Sequence, residues 1–213
     1  MAPGYISEVC PGEGFYAFVR FPDTYLLDKR NVADVEVRID DGRTISAEQR
    51  RKIYATLNDM SLFTGHLPEE QKAIMKYWFI AKTGGPYFSL SDADMTTANE
   101  FLTFLLEFCL EWDIPTQDNM LDRSPDAARY IYACLAHKKC IICNGKAYLH
   151  HADRVGMGRN RKEITHAGMR AQPLCAVHHR EAHDTGQTVF DEKYHVFGVK
   201  LDRTLCGIWK VKS

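Results

Sequence analysis

Apolar and polar positions along the 213 residues begin with alternation, pass into a series of helical periods, and finish in short mixed runs. Residues 14–21 (GFYAFVRF) and 34–40 (DVEVRID) show partial period-two alternation rich in Val, Phe and Tyr. With the turn-like Asp40-Asp41-Gly42 after the second run, they predict a small β element. Ser46 then reads as a helix N-cap, with Gln49 at the third helical position as its capping-box partner. Ile53, Leu57 and Met60 repeat at helical spacing, and Leu62 and Phe63 fall at or just past the end of that helix.

A second helix starts near Leu67-Pro68-Glu69-Glu70, where an early proline and first-turn acids suit a helix N-terminus. It carries Ile74, Met75, Trp78 and Phe79 and stops at Gly84-Gly85-Pro86. The third helix is the clearest. Ser91 or Asp92 caps it, Pro115 ends it, and Met95, Ala98, Phe101, Leu102, Leu105, Phe108, Cys109 and Trp112 form a wide apolar stripe. Such a stripe is expected to be core rather than a base-stacking surface. The polar segment 116–124 predicts a linker, and Pro125 opens a fourth helix running to about His137. Near the end, Val189, Phe190, Tyr194, Val196 and Phe197 are expected to continue or cover the preceding module. Val199-Lys200-Leu201 and Ile208-Trp209 are short packing elements, and His195 is structural.

Composition changes this picture in two ways. No segment approaches the ~18 consecutive apolar residues of a membrane span, and no basic start leads into an apolar run. A membrane protein or signal peptide is therefore not expected, and the chain is placed in the cytoplasm. Charge is split unevenly behind a net −1: residues 1–135 carry 13 Lys/Arg against 21 Asp/Glu, and residues 136–213 carry 14 against 7. A basic C-terminal third suits a polyanion such as nucleic acid, although a solvated basic face would have the same composition.

Chemistry concentrates between Cys140 and His183, which hold three of seven cysteines and six of nine histidines. Cysteines beside histidines point to metal binding in a reducing compartment rather than to a disulfide framework. Cys140 and Cys143 are spaced as a zinc-knuckle half-site, and Cys175 and His178 have the same spacing. The four predict one structural zinc that staples a segment too small to bury a core of its own. No thioredoxin-like βαβ pattern surrounds the CxxC, which sets aside a redox role. His179 and His183, at i and i+4, share a helix face and can present two imidazoles to a second ion. His178 and His179 lie about 100° apart on that helix, so each can turn to a different ion. Arg154, Gly156, Gly158, Arg159, Arg161 and Lys162 predict a basic loop that follows backbone phosphates without reading bases.

This constellation resembles the HNH nucleases with a ββα-metal core over roughly residues 136–200. The His150-His151 pair with a helical HxxxH is most similar to colicin-type DNases, and the knuckle to phage HNH proteins and zinc-bearing restriction nucleases. The resemblance implies that His150, His179 and His183 ligate a catalytic divalent ion and that His151 is the general base. In the family an Asn often stands five residues before the second-pair cysteine and orients the base. Arg170 occupies that place here, with Asn160 and His166 as substitutes for the orienting role, and Arg170 also joins the DNA-contacting set. Three imidazoles favour Zn²⁺ or Ni²⁺ in affinity, whereas activity can call on Mg²⁺ or Mn²⁺.

The preceding strand-then-helices order, with Arg43-Thr44-Ile45-Ser46 leading in and Trp112-Asp113-Ile114-Pro115 closing, resembles the NinB/Orf family of phage recombination mediators over about 80 residues. That resemblance implies a dimeric domain that binds single-stranded DNA and works beside a single-strand-binding protein. The expected architecture is α+β: an N-terminal β element with a helical bundle, then a zinc-stapled ββα-metal (HNH) domain. Its expected divisions are a mediator-like domain over 1–115, a linker and connecting helix over 116–135, and a nuclease domain over 136–213. The expected function is metal-dependent cleavage of single-stranded or branched DNA in phage recombination, in the bacterial host cytoplasm. Two alternatives are a non-catalytic single-stranded-DNA mediator on a zinc-stapled scaffold and an RNA-directed nuclease.

Overall fold

The computed structural model describes residues 4–20, 24–29, 42–153 and 165–213. The expected strand 34–40, Asp40 and Asp41 of its turn, and Arg154, Gly156, Gly158, Arg159, Asn160, Arg161 and Lys162 lie outside the described residues. The chain divides into two compact units, Met1–Gly42 and Arg43–Ser213.

In the first unit the alternating run 14–21 forms β2 (Gly14–Val19), paired antiparallel with β1 (Gly4–Cys10). Cys10 faces Gly14 across the hairpin, and Tyr5 packs its ring on Phe18. A short helix α1 (Thr24–Lys29) follows.

The second unit opens with α2 (Ala47–Thr64). Its capping box forms as the sequence predicts: the Gln49 N–H donates to Ser46 Oγ and the Ser46 N–H donates to Gln49 Oε1, at 3.1 and 2.8 Å. Leu62 and Phe63 belong to its last turn and are exposed. Gly65 ends it with φ 79°, a left-handed conformation that costs glycine little. Helix α3 (Pro68–Thr83) has Pro at its start and Glu70 accepting from the Leu67 N–H.

Helix α4 (Met95–Glu111) corrects the expected boundaries at both ends. Its cap is Asp94, which accepts from the Thr97 N–H at 2.8 Å. Ser89 and Ser91 are instead occupied in a preceding turn, and the Ile45 N–H and Met95 N–H bond Ala93 O and Arg43 O to hold residue 94 extended. At the other end Trp112 is the C-cap and Asp113 turns left-handed, so the helix stops before Pro115 is reached. Trp112 is accordingly exposed, stacked on Phe108, whereas Ala98, Phe101, Leu102, Leu105 and Cys109 are buried as expected of core.

The segment expected as a polar linker contains α5 (Met120–Arg123), with Met120 and Leu121 in the core. Arg123 pairs with Asp59 of α2 at 2.7 Å, each side chain about 5% exposed or less. A buried pair of this kind is costly to break from one side. Helix α6 (Ala127–His137) then delivers the chain to the cysteines. Beyond them come β3 (Tyr148–His151), β4 (Arg170–Leu174), α7 (Ala176–Thr185), α8 (Gln187–Tyr194), β5 (Val199–Lys200) and α9 (Arg203–Trp209). The three strands form one antiparallel sheet in the order β3-β4-β5. Helix α7 packs on β3 and β4, completing a ββα module. Among the described residues one hydrophobic core runs from Ile45 through the α4 stripe, Ile131 and Leu135 of α6, to Ile141, Leu174, Phe190 and Leu205. The fold is α+β, as the sequence predicts. No helix among the described residues is long and apolar enough to cross a membrane.

Candidate metal centres

After α6 the backbone forms a knuckle. Lys138 turns left-handed, Lys139 bridges Lys146, and the Cys140 N–H bonds Gly145 O at 2.7 Å. Asn144 is also left-handed (φ 56°), and its side chain accepts from Tyr130 Oη at 2.7 Å, anchoring the turn to α6. Cys140 and Cys143 thereby point to one side. Opposite them, Cys175 caps the N-terminus of α7 and His178 lies one turn in.

The four ligand atoms lie within 4.8 Å of one another. Cys143 Sγ is 3.7 Å from Cys175 Sγ, and His178 Nδ1 is 3.2 Å from Cys175 Sγ and 3.4 Å from Cys140 Sγ. A tetrahedral zinc with Zn–S near 2.3 Å has S···S edges of about 3.8 Å, so the cluster could hold zinc with little movement. Burial pushes the Cys140 thiol up to about 12. Burial acts on Cys175 in the same direction, but the N–H groups of His178 and Val177 and the neighbouring thiols outweigh it and hold that thiol below its ordinary range. Several thiolates cannot share this space without a cation, which is the condition a metal supplies.

His178 and His179 face different ways, as their angular separation on the helix requires. While His178 meets the sulfurs, His179 and His183 form a second cluster with His150 of β3, their ligand nitrogens also within 4.8 Å. Ring centroids are 4.9 Å apart for His150 and His179, 5.1 Å for His150 and His183, and 4.7 Å for His179 and His183. His150 is only 4% exposed, His179 is half-buried and His183 is exposed, so the cluster is open on one side. Burial, the largest influence, holds the His150 imidazole below its ordinary range and favours the neutral ring that a metal ligand must be.

Consecutive residues of a strand point to opposite faces, and β3 separates the two adjacent histidines in this way. His150 turns to α7, whereas His151 Nε2 lies 2.8 Å from His166 Nδ1. His166 is 4% exposed and held by bonds from its own N–H to Lys212 O and from the Met169 N–H to its carbonyl. Arg170, in the place of the family Asn, turns to Asp153. Its Nη2 is 2.7 Å from Asp153 Oδ1, and its backbone N–H donates to Asp153 Oδ2. These contacts, the backbone one first, hold Asp153 below the usual carboxylate range. Among the described residues His166 stands against His151; Asn160, the other substitute the sequence offered, lies outside them.

Sequence reasoning missed Gln172, Gln187 and Asp191. Gln187 Oε1 is 2.7 Å from His150 Nε2, and Gln187 and Gln172 both reach Asp191 Oδ1. The one sequence signal is Gly186, whose positive φ of 87° ends α7 and starts α8 at Gln187. His195, expected to be structural, is the exposed left-handed C-cap of α8.

A family model described as "Putative HNHc nuclease" matches residues 19–212. No curated protein and no solved structure matches the chain.

Proposed function

The chain belongs to the HNHc nuclease family, and from that premise we propose that it is a metal-dependent DNA endonuclease of the HNH type with His151 as general base. One observation carries the proposal: β3 sends His150 into a three-imidazole cluster and His151 to the other face, beside a buried histidine. Cys140, Cys143, Cys175 and His178 are proposed to hold a structural Zn²⁺. His150, His179 and His183 are proposed to hold the working ion, whether Mg²⁺, Mn²⁺, Ni²⁺ or Zn²⁺. A divalent ion bound there supplies Lewis-acid stabilisation of charge on the phosphate and the leaving oxygen.

The chain's own residues supply the proton chemistry. A neutral imidazole can take a proton from water near pH 7. We assign His166 Nδ1 as acceptor from His151 Nε2–H, which leaves the lone pair on His151 Nδ1 for the attacking water. As that water loses its proton to His151, its oxygen bonds to phosphorus and the opposite P–O bond breaks. The leaving oxygen is then protonated from solvent. Arg154, Arg159, Arg161, Lys162 and Arg170 are proposed to follow the DNA backbone, with Arg170 held by Asp153 at the start of β4.

The recombination role is part of the same proposal. It is supported by the likeness of residues 34–115 to phage recombination mediators, and it assigns 1–115 the mediator function and 136–213 the cleavage function. It further supposes a homodimer, a single-strand-binding protein as partner, branched or single-stranded DNA as substrate, and the cytoplasm of a phage host as the setting.

The deciding experiment is a nicking assay on duplex, branched and single-stranded DNA and on RNA, across divalent ions. Cleavage of DNA that disappears in His151→Ala, with folding retained, is the expected result. Intact DNA with every ion, alongside persistent binding, would favour the non-catalytic mediator. Cleavage confined to RNA would move the substrate class.

A further inference from the structure

Behind His150 lies a partly buried polar chain whose direction is fixed from one end. Gln187 and Asp191 are four residues apart on α8 and share a face. The Gln187 Nε2 hydrogens reach Asp191 Oδ1 at 2.8 Å and Gln172 Oε1 at 3.1 Å. Gln172, 0% exposed, spends its own Nε2 on Asp191 Oδ1 at 2.6 Å. A carboxylate only accepts, so both amide nitrogens must turn toward Asp191. With both Gln187 donors used, its Oε1 is what faces His150 Nε2, 2.7 Å away. A carbonyl oxygen there demands a proton on that nitrogen. The neutral ring has one proton, so the lone pair sits on Nδ1.

We infer that Gln187 and Asp191 are positioning residues that lock His150 in its Nε2–H tautomer, making Nδ1 the nitrogen offered to the ion shared with His179 and His183. The inference rests on the three-imidazole site proposed above. It also distinguishes this ligand from one backed directly by a carboxylate: here a neutral amide stands between imidazole and charge. Partners of this kind orient a ligand and typically change metal affinity by about 10–100-fold when lost.

Full-length protein with zinc in the thiol site would be titrated with Ni²⁺ by calorimetry, and the His150 tautomer read by ¹⁵N NMR before Ni²⁺ is added. Wild type should take up one Ni²⁺ and show His150 protonated at Nε2. Gln187→Leu should weaken Ni²⁺ binding by about 10–100-fold. The double variant Gln187→Glu/Asp191→Asn moves the carboxylate next to the ring while keeping an acceptor on Nε2–H. It should restore both the tautomer and Ni²⁺ binding; because Glu has the shape of Gln, recovery of the Nε2–H tautomer in the ¹⁵N spectrum, lost in Gln187→Leu, is the readout that separates an acceptor from packing alone. A wild-type His150 protonated at Nδ1 would overturn the inference. So would a Gln187→Leu variant that binds as tightly as wild type, or a double variant as weak as Gln187→Leu. Wild type that takes up no Ni²⁺ at all would overturn the three-imidazole reading and this inference together, a pattern distinct from tight binding by every variant.

Discussion

Helix α7 carries His178 and His179 side by side, and they belong to two clusters built on different plans. The cluster of His178 has three sulfurs, a buried Cys140, and three edges of 3.2–3.7 Å that suit a tetrahedral ion. That of His179 has three imidazoles, one buried and one exposed, and no fourth protein ligand among the described residues. A closed sulfur-rich set suits an ion that holds structure, and a three-ligand set with an open side suits one that meets substrate. Their supports differ as well. Knuckle turns and a helix N-terminus hold the sulfurs, whereas hydrogen-bonded side chains of other elements hold His150 and His151. On the proposed reading, stability and chemistry are separated by about 100° of one helix.

Removing each part in turn tests that separation, and the largest effect should come from the sulfur side. Structural zinc contributes on the order of 10–16 kcal/mol of apparent binding in small modules, comparable with the whole stability of a domain. Cys140→Ser, or a chelator strong enough to strip the thiol site, should therefore abolish cooperative thermal unfolding followed by circular dichroism. Cys140 and Ile141 are fully buried in the common core, so the loss should extend into the helices before them. A variant that melts like wild type would remove the staple from the account.

The imidazole side should behave in the opposite way. His151→Ala should lower kcat by about 10²–10⁴-fold while the melting transition stays in place. Next comes His166→Ala, which should cost up to about 10²-fold in kcat through a misplaced base, with KM little changed. His166→Asn, whose amide oxygen can stand in for Nδ1, should recover most of that loss; failure to do so would limit His166 to packing. The smallest effect is expected from Arg170→Ala, since the described contacts of its side chain go to Asp153. Cleavage with kcat unchanged and affinity for DNA slightly weakened would place Arg170 outside the reacting centre.

Spacing makes the sulfur cluster and the His179–His183 pair legible in the sequence, whereas His150 as their partner is implied by the HNH resemblance. CxxC, CxxH and HxxxH fix distances along a knuckle or a helix, and strand alternation separates His150 from His151. Ser46 with Gln49, the start of α3 at Pro68, and the α4 stripe are legible for the same reason: each depends on neighbours within one turn. What spacing does not reveal depends on tertiary return. Gln172 of β4 and Asp191 of α8 meet by a side-chain bond across 19 residues, and His166, beside His151, is held by the C-terminal segment at Lys212. Asp94 is not legible as a cap because the Thr44–Asp94 bridge, rather than local preference, sets where α4 begins. Met120 and Leu121, in a run of polar residues, are hidden from pattern by their neighbours and are buried through the Arg123–Asp59 pair.

The central claim is that adjacent residues of α7 serve two ions with different roles. Counting bound metal per chain, in wild type and in His179→Ala, after saturation and removal of free ion, tests it most directly. Two ions in wild type and one in a still-folded His179→Ala is the predicted result. One ion in both proteins would contradict it, and would leave the thiol cluster as the sole metal centre.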